Sequence, residues 1–244
     1  MRPSVHALHA SRRPRRAVLA LGFAAVLATV VGTPAHAATE SRSVGDFDQV
    51  VFTVAGDLVV EQGPREALTI EAEQAVLPRI TAEVHGRQLL IGVAPGRTET
   101  REPIRIRLVV RNLRAFESRS AGAVRIGPLR SPELAITLAG SGPVQLDRLE
   151  DARSLDVFIS GAGGVNVGGG KVGMQRLSIS GTGNYTAPGL ASERADVAID
   201  GSGEARVAAS TALAVRIGGI GNVRYRGDPK VTRSISGIGT IEKD

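Results

Sequence analysis

From residue 44 onward the chain is written in twos. Leu68-Thr69-Ile70-Glu71-Ala72-Glu73 alternates apolar and polar positions, and so does Ile104-Arg105-Ile106-Arg107-Leu108-Val109-Val110-Arg111. Gly, Pro or Asn bounds each run. A period of two places successive side chains on opposite faces and predicts half-buried β-strands. No segment in this part of the chain carries the 3.6-residue period of an amphipathic helix. The one stretch able to form a helical turn, Glu73-Gln74-Ala75-Val76-Leu77, runs into Pro78, which stops it.

The second half adds a longer period. Leu138-Ala139-Gly140-Ser141-Gly142 is followed by Ile159-Ser160-Gly161-Ala162-Gly163, Ile179-Ser180-Gly181-Thr182-Gly183 and Ile199-Asp200-Gly201-Ser202-Gly203. Ile217-Gly218-Gly219-Ile220-Gly221 and Ile235-Ser236-Gly237-Ile238-Gly239 complete the series. The first glycines are spaced by 21, 20, 20, 18 and 18 residues. Gly122 lies 18 residues before Gly140 and reads as a degenerate earlier copy, and Val54-Ala55-Gly56-Asp57-Leu58 reads as the first of all. A strand-only repeat of this length is too short for a propeller blade, which needs about 40 residues. It fits a parallel β-helix, whose coils stack about 4.8 Å apart. The Leu or Ile before each motif then stacks as an interior ladder. Ser160, Ser180, Asp200 and Ser236 fall on the other face or at a corner. The glycines are expected to supply turn conformations with positive φ, which side chains with a Cβ reach only at a cost. The alternative is an antiparallel sandwich with hairpins at similar spacing, but a sandwich rarely repeats its turn sequence.

These residues carry a family resemblance. Phe47-Asp48-Gln49-Val50, Val54-Ala55-Gly56, Gln62-Gly63, Leu68-Thr69-Ile70-Glu71-Ala72, Leu89-Leu90-Ile91, the serial S-G-x-G copies and Gly219-Ile220-Gly221-Asn222 resemble the bacterial head GIN domain proteins, an auto-transporter-adhesin type. The likeness covers almost all of the chain beyond residue 43, although the exact Gly-Ile-Asn is lacking. It implies an exported protein, a right-handed β-helix-like solenoid, and adhesin-like binding with no catalytic residues.

The N-terminus changes the charge picture. Arg2, Arg12, Arg13, Arg15 and Arg16 precede the uncharged apolar run 17–31, and Thr33-Pro34-Ala35-His36-Ala37 ends in an A-x-A pattern. Residues 1–37 read as a signal peptide cleaved after Ala37. The run is short for a membrane span, which needs about 20 residues, so no stable span is expected after cleavage. Arg15-Arg16 also resembles a twin-arginine signal. Of 30 basic residues in the chain, five arginines leave with the signal, so 25 stand against 24 acids and the net charge falls from +6 to +1. A nucleic-acid partner is therefore not expected. The domain reading is 1–37 signal, 38–43 short linker, and 44–244 a single solenoid, with 44–113 as N-terminal cap strands and 114–244 as the glycine-motif coils. The location expected is the periplasm or cell envelope of a bacterium, or secretion from it.

Candidate chemistry is thin. The chain has no cysteine, which excludes disulfides, thiolate metal sites and a cysteine nucleophile. Beyond the signal the sole histidine is His85, in an apparent hairpin turn, so neither a histidine metal site nor a Ser-His-Asp triad is expected. Gly168-Gly169-Gly170-Lys171-Val172-Gly173 lacks the upstream glycine and following Ser/Thr of a phosphate loop, and reads as a loop extending one coil. Asn184 and Asn222 share the slot after the second glycine, where Asn can form a ladder or cap a turn, and read as structural. A polysaccharide hydrolase would need converging carboxylates about 5–10 Å apart. Asp156, Asp196 and Asp200 are the candidates, yet Asp196 and Asp200 lie four apart on one strand, about 13 Å. No catalytic, cofactor or metal residue is nominated. The expected partner is an envelope component, polysaccharide or protein, or a second copy meeting a solenoid end or edge. A carbohydrate-active enzyme on a β-helix is the alternative.

Overall fold

A computed structural model describes residues 37–97 and 100–244. All but one residue of the expected signal peptide lies outside them. The leading strands are β1 (Ala37–Arg42), β2 (Gln49–Phe52), β3 (Asp57–Gln62), β4 (Ala67–Glu73), β5 (Ile80–His85), β6 (Gln88–Val93) and β7 (Arg105–Val110). The coils follow as β8 (Ala115–Ser118), β9 (Val124–Ile126), β10 (Leu129–Arg130), β11 (Glu133–Leu138), β12 (Val144–Leu146), β13 (Leu149–Ile159) and β14 (Gly164–Val167). They continue as β15 (Gly170–Ile179), β16 (Asn184–Ile199), β17 (Ser202–Ile217), β18 (Ile220–Arg226), β19 (Lys230–Ile235) and β20 (Ile238–Lys243).

The strands stack in parallel as a β-solenoid of about six turns. One layer runs β2, β8, β11, β13, β15, β16, β17, β19, each in parallel register with the next. A second runs β3, β9, β12, β14, β16, β17, β18, β20. The long strands β16 and β17 pass through corners and serve both. A short third side is formed by β10 and the leading parts of β13 and β15 with the middle of β16.

The interior ladder falls where the alternation puts it. Leu138, Ile159, Ile179, Ile199 and Ile217 are in register and 0–1% exposed. Each such side chain is worth about 1.5–3 kcal/mol relative to exposure. The expected first copy also holds, because β3, opening at Asp57 just after Gly56, pairs with β9 of the next coil.

Among the described residues, all antiparallel pairings lie in residues 37–110. The chain lays down β2 and β3, runs outward through β4 and β5, and returns with β6 and β7 beneath β2 and β3 before crossing to β8. Val76 and Leu77 close this end of the core, and Pro78 sits inside a short 3-10 turn, Leu77–Arg79. Residues 38–42, expected as linker, are strand. They pair antiparallel with β4, and Arg42 donates to the carbonyls of Leu77 and Ile80. Nothing within 37–43 marks this, because its partner lies thirty residues on.

The variation in coil length has local causes. The 21-residue step contains Asp151, a non-glycine residue at φ 57 in a bulge of β13. The Gly168–Gly173 stretch is not an extended loop. Two residues separate β14 from β15, as two separate β12 from β13, and Gly170 takes φ 124 over the Leu149 carbonyl. The steps fall to 18 where the register of β16 with β17 shifts between Thr186 and Ala191 and the Pro188-Gly189 corner has no counterpart.

The motif glycines differ in cause from the expectation. None of Gly140, Gly161, Gly181, Gly201, Gly219 and Gly237 has positive φ; among the described glycines only Gly86, Gly96, Gly170 and Gly227 do. Their corners instead lie directly on the corners below. The Ser180 and Gly181 amides both donate to the Ile159 carbonyl, at 2.9 and 3.2 Å, and Thr182 donates to Gly161 at 3.0 Å. The next coil repeats this, with Asp200 and Gly201 donating to Ile179 and Ser202 to Gly181. At this closeness a Cβ on Gly181 falls inside the Gly161 and Ser160 carbonyl oxygens, and one on Gly201 inside the Gly181 oxygen. Gly181→Ala and Gly201→Ala should each cost about 2 kcal/mol or more, through overpacking against backbone that cannot yield. Gly45→Ala, with nothing within 4 Å of the added atom, should be neutral within about 0.5 kcal/mol. Thermal melts of the three variants check this; equal melting temperatures would contradict it.

Candidate functional site

The outward side of the first layer is the most distinctive surface. Outward positions on β13, β15, β16 and β17 form two rows across the strands: Phe158, Ser178, Ala198, Arg216, and Asp156, Arg176, Asp196, Ala214. Ser178, Ala198 and Ala214 are small and leave a shallow depression of about 460 Å3, with Phe158 at one end and Thr232, Arg233 and Ser234 of β19 at the other. Phe158 is 49% exposed, and the lining is largely apolar. That volume lies within the range of small-ligand pockets, although the depression is open rather than enclosed.

The three candidate acids stand on this face or at its margin without converging. Asp156 accepts from Arg176 at 3.0 Å. Arg176 sits between Asp156 and Asp196 in register, so the two carboxylates are two strands, about 10 Å, apart with a guanidinium between them. Asp196 is exposed and makes no hydrogen bond or ion pair among the described residues. Asp200 is held bidentately by Arg216, at 3.0 and 3.1 Å. A side chain on Gly218 would crowd the Asp200 carboxylate, so this glycine leaves room for the pair. Exposed pairs of this kind contribute about 0–1 kcal/mol each. They fix the direction of the arginine heads and neutralise two of the three acids.

The remaining motif residues are structural. His85 ends β5 in a two-residue hairpin whose Gly86 has φ 61, and its Nε2 lies 3.1 Å from Glu83. Asn184 and Asn222 stitch corner to corner. Asn184 Oδ1 accepts the Glu204 amide at 2.8 Å, and Asn222 Oδ1 accepts the Thr240 amide at 3.2 Å and its hydroxyl at 3.0 Å.

A polar network inside the solenoid went unread in the sequence. Gln175 occupies an interior position of β15 and is 2% exposed. Its amide donates to Ser192 Oγ at 2.8 Å and to the Ala208 carbonyl at 2.9 Å, while Tyr185 donates to its Oε1 at 3.2 Å. Ser192 donates to the same Ala208 carbonyl. The network joins the sides of the coil through fully used donors, which makes it tolerable in an apolar core. Its one sequence signal is Gln175 at an apolar beat just before Leu177 and Ile179.

Among the described residues no helix is long and apolar enough to cross a membrane, and no cluster of three His, Asp or Glu could hold a metal ion. Residues 46–229 match the family model described as "Putative auto-transporter adhesin, head GIN domain". No curated protein matches the chain. Among solved structures, a "putative adhesin" from Bacteroides fragilis is similar at TM-score 0.79 and 22% identity, over 86% of this chain and 97% of that one. A "putative adhesin" from Parabacteroides distasonis is similar at TM-score 0.67 and 22% identity, over 86% and 98%. A "putative lipid binding protein" from the same species is similar at TM-score 0.68 and 23% identity, over 86% and 98%. At these identities the likeness is one of fold.

Burial pushes the Tyr185 phenol well above the ordinary tyrosine range. The phenol of the unfolded chain ionises near about pH 10 while the buried one stays neutral. Stability from this residue is therefore complete below about pH 10 and falls as pH rises above it. Tyr185→Phe leaves Gln175 Oε1 without its donor, at a cost of about 1–3 kcal/mol at neutral pH. Urea melts from pH 7 to 11 should show that cost shrinking as the pH rises past about 10. A pH-independent difference would contradict the assignment.

Proposed function

This chain belongs to the head GIN domain family, and we propose that it is an exported, non-enzymatic binding domain of the bacterial cell envelope. The observation that carries the reading is the outer face of the first layer. A flat, rigid row of strands presents a small-residue floor beside an exposed Phe158, while its arginines and acids largely neutralise one another. Rigid backbone and small side chains suit an extended partner lying across several strands, with Phe158 packing against its apolar part. An envelope polysaccharide or protein fits this description. The fold neighbour described as lipid-binding adds an amphiphile to the partners worth testing.

Catalysis by a polysaccharide hydrolase requires two carboxylates working as a pair across one bond. Arg176 bonds Asp156 and stands between it and Asp196, and Arg216 holds Asp200, so two of these groups are tied to cations and none faces another across a shared space. That arrangement supports binding over turnover. The residues proposed to remain after export are 38–244, and cleavage after Ala37 leaves β1 all but its first residue.

The exported protein should be tested on a glycan array, in pull-downs from solubilised envelope, and with lipid vesicles. Ala198→Arg fills the floor and Phe158→Ala removes the wall, and each should weaken the partner found by about tenfold or more while leaving the melting temperature within a few degrees. Binding indifferent to both would move the site elsewhere. Polysaccharide turnover abolished by Asp196→Asn or Asp200→Asn would replace this reading with the enzyme.

A further inference from the structure

The last coil ends in two strands that have no neighbour on their outer side among the described residues. β19 pairs only with β17, and β20 only with β18. Open strand edges recruit other strands unless something prevents it. The coil above has interior positions at Leu213, Val215, Ile217, Gly221, Val223 and Tyr225, none of them charged. The register carries these positions onto Val231, Arg233, Ile235, Gly239, Ile241 and Lys243. Two of six interior positions therefore become cationic in the terminal coil alone. Arg233 has no hydrogen-bond or ion-pair partner among the described residues, and Lys243 is paired at 3.2 Å with the fully exposed Asp228.

The surroundings make these charges necessary. Ile235 is 43% exposed at the open end. At the neighbouring corner, the position held by Ser141, Ala162, Thr182 and Ser202 in earlier coils becomes Ile220 and Ile238, which are 57% and 71% exposed. Unpaired backbone groups beside exposed isoleucines form an adhesive end. Extending the solenoid with a second copy would carry Arg233 and Lys243 into an apolar interior, and an uncompensated buried charge is strongly destabilising.

We propose that Arg233 and Lys243 form a charge barrier that keeps the C-terminal edge from pairing with a second copy, and leaves it selective for a strand that brings carboxylates to the facing interior positions. The barrier resides in side chains, so the edge itself stays competent to pair. The partner it fits is an extended segment with one acid at the inward position facing Arg233 or Lys243 and apolar or small residues two positions to either side, added to β19 or β20 by backbone hydrogen bonds. Arg233 also borders the depression on the outer face, but this inference rests on the strand register and not on that depression binding a partner.

The test is sedimentation of the exported protein in four forms: wild type, Arg233→Ile/Lys243→Ile, Arg233→Glu/Lys243→Glu, and Arg224→Ile as a control outside the interior positions of that end. Circular dichroism melts establish that each is folded. Wild type and Arg224→Ile should remain monomeric, and the double isoleucine variant should self-associate at least about tenfold more tightly, equivalent to about 1.4 kcal/mol. Wild type mixed with the double glutamate variant should form a 1:1 complex that neither forms alone and that weakens with salt. Dimerisation of wild type, a monomeric double isoleucine variant, or failure of the charge-swapped pair to associate would each overturn the proposal.

Discussion

The whole stack depends on one contact, the bonding of each corner to the corner beneath it. Where the chain turns from the first layer to the second, two successive amides converge on a single carbonyl of the preceding coil, and the next amide takes the preceding glycine's carbonyl. A turn normally satisfies its polar groups with water or with itself. Here the groups are spent on the neighbouring coil, so the coils approach at corners as closely as they do along strands. Glycine is required because that approach leaves no volume for a Cβ. With the corners fixed, the in-register ladder of Leu138, Ile159, Ile179, Ile199 and Ile217 follows.

This constraint also shapes the surfaces. Strands held in strict register put outward side chains in straight rows, so a few small residues in adjacent rows become a depression rather than scattered gaps. The same register aligns Asp156, Arg176 and Asp196, alternating the charges and keeping the carboxylates apart. Where the register runs out, the fold meets its edges differently at each end. Antiparallel strands with Val76 and Leu77 close one end, and charged residues at interior positions guard the other.

Much of this was legible in the sequence, because it repeats. The period, the apolar residue ahead of each glycine, and the outward Ser and Asp positions are each written several times. The glycines were legible as corners but not in their cause, since a glycine needed for positive φ and one needed for close approach look alike in one dimension. Unrepeated features were hidden. β1 depends on a partner thirty residues away, β6 and β7 slip beneath strands that precede them, and Asp151 absorbs an extra residue through one unusual φ. At the candidate surface, the three acids could be named but not the arginines that pair with Asp156 and Asp200, which come from the next coil. Gln175 was a single polar letter among strand residues, and its partners Tyr185 and Ser192 come from other parts of the coil.

Amide hydrogen exchange tests the central claim most directly. If corners are bonded to corners, the amides of Gly181, Thr182, Gly201 and Ser202 are structural hydrogen bonds although they lie at exposed turns. They should exchange as slowly as strand amides of the same coils, such as Val197 and Val215, opening only with the coil itself. Corner amides exchanging at the rate of free turns, while the strands between them stay protected, would contradict the account.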